Sequence, residues 1–320
     1  MFYLRDGLRS PRLAVCFCLA CLPATFTGGN LIQSSAITDA VAHSLGIDRL
    51  YIGLVTAGLV GLTMLGGINR IAHLSTVLVP VMSLFYLGSG IWVLLTHIDA
   101  LPQALASIFQ SALTPSSAYS GVGGWSVFSA IRYGVARGVF TNEAGLGTCA
   151  IAHGAANVEH PTRQGMWGIF EVFCSSFLVC TITALVILVS GVYPATEFTG
   201  LALTNAAFES SFGIYGSSIV SITLLLFAFS SLIGWSYYGQ QALSYLCENN
   251  HFLPLYRLVF LFCIILGSLW DSNLLWALVD LCNAFLAIPN LIALALLSPQ
   301  ALELLWQWEH LQLSKTKRER

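Results

Sequence analysis

The stretch at residues 134–156, GVARGVFTNEAGLGTCAIAHGAA, decides how this chain is read. It lies inside a hydrophobic segment long enough to cross a bilayer. Yet it carries Arg137, Asn142, Glu143 and His153, with glycines at 134, 138, 145, 147 and 154. Ionisable groups at membrane depth are expensive and face a cavity or a partner rather than lipid. Glycines in mid-span loosen the helix, and backbone that leaves the α ladder is tolerated in a bilayer only where it lines protein. A span that is both polar and glycine-broken therefore marks a binding site between helices. The break is expected at about residues 141–147, where Gly145 and Gly147 have low helix propensity beside two polar side chains.

Composition sets the class around this stretch. Hydrophobic residues make up 56% of the 320, and 9% are charged, against roughly 25% charged in a soluble domain. The apolar residues come in several runs of about 20, so the fold class is an all-α polytopic membrane protein. A net charge of -2 without a basic cluster offers nothing to nucleic acid. No HExxH, GxSxG or Walker sequence occurs, so an enzyme is not expected. Gly145-x-Gly147-x-x-Ala150 imitates a dinucleotide fingerprint but follows no strand of a βαβ unit. The nine cysteines are odd in number and lie almost wholly in apolar runs. Cys16-x-Cys18-x-x-Cys21 reads as small hydrophobes of a membrane helix, because no second ligand set follows. The first 22 residues imitate a signal peptide, with Arg5, Arg9 and Arg12 before LAVCFCLACL. The apolar character runs on through Ile37 without a small-x-small cleavage site, so this is the first span.

Eight spans are expected, at about 13–44, 50–67, 74–96, 125–156, 166–192, 216–246, 255–270 and 273–298, with Pro80 and Pro289 as kinks. Residues 99–124 form a long connection with an amphipathic part, DALPQALASIF. Residues 196–212 are too polar to span and read as an interfacial helix. In this arrangement Arg5, Arg9, Arg12, Arg70, Arg163, Arg257, Lys315, Lys317, Arg318 and Arg320 share one side, with Arg49 alone on the other. Both termini are therefore expected in the cytoplasm.

GVFTNEAGLGTCAIAH closely resembles the signature of the sodium:alanine (alanine or glycine:cation) symporter family. TGGNLIQSSAI, LTNAAFESSFG, WSYYGQQALSYL and WALVDLCNAFLAIPNLIALALLS resemble further segments of that family, in the family's order. The opening MFYLRDGL resembles the tail of a GGP-M-YY-L element, so the family's first two core helices are expected to lie upstream of this chain. The resemblance implies a leucine-transporter-type fold of two inverted five-helix repeats, with the site between them. On that mapping residues 1–124 hold the remainder of the first repeat and an external connection, residues 125–298 the second repeat, and residues 299–320 a cytoplasmic tail. It implies a carrier of alanine or glycine with sodium in the bacterial cytoplasmic membrane, working by alternating access among membrane lipid. The competing expectation is a truncated or split copy that inserts but does not transport by itself, unless a separate upstream chain supplies the missing helices.

The residues expected at the site follow from these segments. The backbone of Asn142, Glu143, Ala144, Gly145 and Gly147 is expected to unwind and offer its groups to an amino acid or a cation. Glu143 reads either as a direct contact of the substrate or as a structural charge paired with Arg137 or Arg132. Asn30 and Gln33, three apart, share a helix face beside Gly28 and Gly29, and a neutral amide suits a zwitterion. Fold position in the family assigns Ser230 and Ser231 to sodium, which takes hard oxygen ligands; the other reading is hydroxyl bonding to the preceding turn. Trp235, one turn further, reads as a pocket wall or as packing. Asp280 with Asn283, and Glu171, read as interior polar contacts.

Overall fold

The computed structural model describes residues 1–113, 121–195, 198–247, 250–270 and 272–318. Residues 114–120 of the 99–124 connection, the first two residues of the 196–212 segment and Arg320 lie outside these. Among the described residues all regular structure is helical. After a short π-helical turn at Tyr3–Gly7, the helices are α1 (Pro11–Phe26), α2 (Ile32–Leu45), α3 (Arg49–Leu65), α4 (Gly67–Thr96), α5 (Leu101–Leu113), α6 (Gly121–Asn142) and α7 (Cys149–His153). There follow α8 (Pro161–Val172), α9 (Cys180–Val189), α10 (Val192–Ala195), α11 (Gly200–Phe212), α12 (Gly216–Leu246), α13 (Leu253–Leu269) and α14 (Ser272–Arg318).

Local chemistry explains the boundaries. α1 starts with Pro11 at a first-turn position, where its missing N–H costs nothing. α3 is capped by Asp48, whose Oδ1 accepts from the Leu50 N–H at 2.9 Å. α1 and α2 form one membrane-length stretch, joined by the π-helical turn Thr27–Leu31. Thr27 Oγ1 bonds back to the Pro23 carbonyl at 2.9 Å. A third π-helical segment, Phe173–Val179, joins α8 to α9. Such extra-residue turns were not anticipated from the sequence, because they use the same residue types as an α-helix.

Five stretches are long and apolar enough to cross a membrane: Pro11–Leu45, Gly67–Thr96, Pro161–Val189, Gly200–Leu246 and Leu274–Gln312. The apolar helices Arg49–Leu65 and Leu253–Leu269 are shorter. The remaining expected span is interrupted, as α6 and α7. The expected tail after residue 298 is instead helix, continuous with α14. Pro299 removes the donor due to the Ala295 carbonyl, and Ser298 Oγ bonds that carbonyl instead, at 3.1 Å.

α12 is the hub: it packs against α1, α2, α4 and α11, while α13 covers α2 and α3, and α14 covers α1. Four apolar clusters result among the described residues, the smallest of them Leu31, Ile32, Leu275 and Val279. Phe17, Cys21, Leu146, Trp235 and Leu286 form one. Ile37, Val60, Leu232, Phe260 and Ile264 form a second. Tyr86, Val93, Val186, Phe208 and Val220 form the third. The tightest approach in the first cluster is between Gly29 and Trp235, where a Cβ on Gly29 would fall inside the indole.

Gly29→Ala is therefore expected to destabilise the protein by about 1–3 kcal/mol through overpacking. Gly88→Ala, where nothing lies within 4 Å, is expected to leave it unchanged. Thermal unfolding in detergent, followed by size-exclusion chromatography, distinguishes the two.

Candidate functional site

The interrupted span is the centre of the site. α6 ends at Asn142, whose side chain serves as its cap: Nδ2 donates to the Gly138 carbonyl at 2.7 Å and Oδ1 accepts from the Ala144 N–H at 3.0 Å. Glu143 then takes a left-handed conformation (φ 56°) and Gly147 another (φ 81°), and α7 begins at Cys149. The joint thus covers residues 143–148, two residues later than expected at its start, because Asn142 still closes the helix. The Leu146 and Gly147 N–H groups both bond the Glu143 carbonyl, at 3.1 and 2.9 Å. A non-glycine residue at positive φ costs roughly 1–2 kcal/mol and is held by its surroundings. Here Leu146 is fully buried in the first cluster. Thr148 Oγ1 donates to Glu143 Oε2 at 2.8 Å, and Trp235 and Tyr238 direct their hydrogen-bonding groups to the same carboxyl.

The backbone of the joint is capped from α14. Asn290 Nδ2 donates to the Ala144 and Gly145 carbonyls, at 2.8 and 2.9 Å, and its Oδ1 accepts from the Tyr3 hydroxyl at 2.7 Å. One amide therefore satisfies two carbonyls that the helix break leaves without their usual donors. A cavity of about 680 Å³ opens beside it, lined among others by Ala144, Gly147, Cys149, His153, Tyr237 and Gln241.

The expected ion pair between Glu143 and an arginine is not what forms. Arg137 pairs with Asp280 on α14, through two bonds of 2.8 and 3.1 Å, and lies 4.0 Å over the Trp276 ring. Arg132 lies over Tyr133. Arg137 is nearly two helical turns before Glu143, and it meets α14 while Glu143 turns toward α12. The Asp280 carboxylate, which has no partner nearby in sequence, gains one that matches its geometry. Glu171 likewise gains His153, with Nε2 3.3 Å from Oε2.

The other sequence-derived residues are partly gathered. Gly28 faces Phe140 at the end of α6, and Gly29 faces Trp235, so the TGGN turn sits between the joint's two neighbours. Asn30 is fully buried and points the other way: Nδ2 bonds the Phe260 carbonyl on α13 at 2.8 Å, and Oδ1 has no partner among the described residues. Gln33 turns back on its own helix, Nε2 to the Gly28 carbonyl at 3.1 Å. The π turn thus separates the two amides that α-helical spacing put on one face. Trp235, 2% exposed, is a packed wall against Gly29 and Tyr238; Tyr237 borders the cavity. Ser230 Oγ donates to the Phe227 carbonyl at 2.8 Å. A hydroxyl bonded in this way keeps its lone pairs for a cation, so the donor type fits sodium.

Asn290, Tyr3, Thr148 and Tyr238 were not singled out in the sequence. A signal for Asn290 exists: Asn283 and Asn290 are seven apart in an apolar helix, hence on one face, three and ten residues after Asp280. Asn290→Ala is expected to leave the two carbonyls and the Tyr3 hydroxyl without their partner, at about 1–3 kcal/mol for each group that water does not reach. Hydrogen exchange should accelerate across residues 143–148 and remain unchanged in α3. Equal protection of the joint in variant and parent would contradict this account of the cap.

Comparison with known proteins now adds to the geometry. The description "Sodium:alanine symporter family" matches residues 1–320. An uncharacterised transporter of Haemophilus influenzae is 38% identical over 92% of this chain and 65% of its own length. The sodium/alanine symporter AgcS of Methanococcus maripaludis is 38% identical over 93% of this chain and 66% of its own length. The probable sodium/glutamine symporter GlnT of Bacillus subtilis is 34% identical over 93% of this chain and 61% of its own length. The chain thus spans just under two thirds of these relatives. A matching description over its whole length, several relatives above 30% identity and a polar break within a helical membrane fold lead to one conclusion: this chain is a multi-pass membrane protein of the sodium:alanine symporter family.

Proposed function

We propose that the protein is a secondary symporter that carries a small neutral amino acid, alanine or glycine, with sodium across the bacterial cytoplasmic membrane. The observation that carries this reading is the break at residues 143–148 within a membrane span, where Ala144 and Gly147 of the joint line a cavity. Interrupted helices are how carriers bring backbone groups to a solute at mid-membrane. The names of the relatives, alanine for AgcS and glutamine for GlnT, support an uncharged amino acid as the class.

In this reading the fold is of the leucine-transporter type, with residues 1–124 and 125–298 belonging to two inverted repeats that rock against each other in alternating access. Asn30, Gln33, Asn142, Glu143, Ala144, Gly145, Gly147 and Trp235 serve the substrate, and Ser230 and Ser231 serve sodium. Of these, the joint residues and Trp235 have the strongest support, since Glu143 links them. Sodium entry down 100 mV supplies about 2.3 kcal/mol per charge before any concentration term, enough to accumulate a zwitterion. The distribution of Lys and Arg supports both termini in the cytoplasm.

Uptake of labelled alanine into a transport-deficient bacterium expressing the protein should rise severalfold when sodium replaces choline in the medium, and excess glycine should compete. Ser231→Ala and Ser230→Ala should raise the sodium concentration for half-maximal uptake. Uptake that ignores sodium would end the symport reading, and unchanged sodium dependence in both variants would reassign the two hydroxyls to helix structure. A reporter fused after Arg320 should be active only in the cytoplasm.

A further inference from the structure

A groove runs between α3 and α12, away from the joint. One part is a cavity of about 210 Å³ whose lining, from Tyr51 and Ile52 on α3 to Leu225 on α12, is almost wholly apolar. A second cavity, of about 460 Å³, continues it toward the α3–α4 turn and is bordered by Arg70 and His73. Leu59 and Phe229 line both, so the two form one channel. Ile52 on its floor is buried, while Tyr51, Leu59 and Leu62 along its rim are exposed.

The apolar part says what fills it. α3 is an apolar helix of a membrane protein, so hydrocarbon is the solvent on its exposed face. A gap left in a groove there would forfeit dispersion contacts along both walls, and an acyl chain closes it. From Tyr51 to Leu62 the groove runs about 17 Å along α3. That is a little over half of the ~30 Å hydrocarbon core, the reach of one chain from one leaflet.

The polar end says which lipid. Arg70 folds back along α3, where Nη1 donates to the Leu62 carbonyl at 2.8 Å. Its charge is thereby held where the apolar groove begins. That bond uses one of the five N–H donors of a guanidinium. No Asp or Glu occurs between Asp48 and Asp99, and no acidic side chain pairs with Arg70 among the described residues. His73, three residues on, shares the Arg70 face of α4 and adds a ring N–H. A phosphodiester offers oxygens that a guanidinium meets with charge-assisted bonds. A zwitterionic headgroup brings its own ammonium to that phosphate, whereas an anionic headgroup leaves the phosphate to Arg70. On the orientation proposed above, Arg70 faces the cytoplasmic leaflet, whose surface potential is negative.

We propose that this groove binds an anionic phospholipid, with the phosphodiester at Arg70 and His73 and one acyl chain laid between α3 and α12.

The test does not depend on which solute the protein carries. The full chain in detergent is equilibrated with phosphatidylglycerol bearing a diazirine on one acyl chain, irradiated, and digested for peptide mass spectrometry. Label is expected on residues 51–62 and 225–229. Unlabelled phosphatidylglycerol should remove it at about fivefold lower concentration than phosphatidylcholine of the same chains, the preference that one arginine near a surface supplies. Arg70→Gln should abolish that preference, and Arg163→Gln, at an exposed arginine of α8, should keep it. Leu225→Trp, which fills the groove, should lower labelling severalfold; should it fail to fold, the labelled positions in the parent decide the same point. Label spread evenly over the exposed helices, or equal competition by phosphatidylcholine, overturns the proposal. So does a preference that survives Arg70→Gln. Competition by glycerol phosphate without chains would make this a simple anion site and overturns it equally.

Discussion

The arrangement depends on one constraint: backbone that leaves a helix inside a bilayer must find its hydrogen bonds in the protein. α6 stops at Asn142, and the carbonyls of Ala144 and Gly145 lose the donors that a continuing helix would give. Asn290 supplies them from α14, while Asn142 and the Glu143 carbonyl serve the N–H groups of the turn. Leu146 then fixes the joint to the core through Phe17, Trp235 and Leu286. The break is therefore ordered on both counts, by polar caps and by an apolar anchor. Its cavity can be open without the turn collapsing.

The same constraint governs the prolines. Pro299 interrupts the ladder of α14, and Ser298 next to it repairs the gap from its own side chain. Where the ionisable groups of the spans are paired, the partners come from a distant helix or the next one. Arg137 meets Asp280, 143 residues away, and His153 meets Glu171 across the turn between α7 and α8. Each pairing substitutes for water that the bilayer does not provide.

Much of this was legible in the sequence. Apolar runs located the five membrane-length stretches and the two shorter apolar helices, and glycines beside Asn142 and Glu143 located the break to within two residues. The partners were not legible. Whether Arg137 reaches Glu143 or Asp280 depends on how far each helix has rotated and where α14 lies, and neither is written in local spacing. Asn30 and Gln33 show the complementary failure. Spacing put them on one face, but the π turn at Thr27–Leu31 inserts rotation between them, and one amide reaches α13 while the other returns to Gly28. Of the hydroxyls of Ser230 and Ser231, that of Ser230 has a bond among the described residues, to the Phe227 carbonyl one turn back.

The glycines around the joint differ in what a geneticist could recover. At Gly28 a new methyl group would press on the edge of the Phe140 ring, 3.0 Å away, so a second change that trims residue 140 restores the space. Gly147 is closed twice. Its Cβ would meet the Asn290 amide and the Tyr3 hydroxyl, and its φ of 81° disfavours any side chain whatever the space. Shrinking Asn290 would relieve the first obstacle, but it would also remove the cap from Ala144 and Gly145 and leave the second obstacle in place. Suppressors of a Gly28 substitution can therefore arise one residue at a time, whereas a substitution at Gly147 has no single neighbour whose change repairs it.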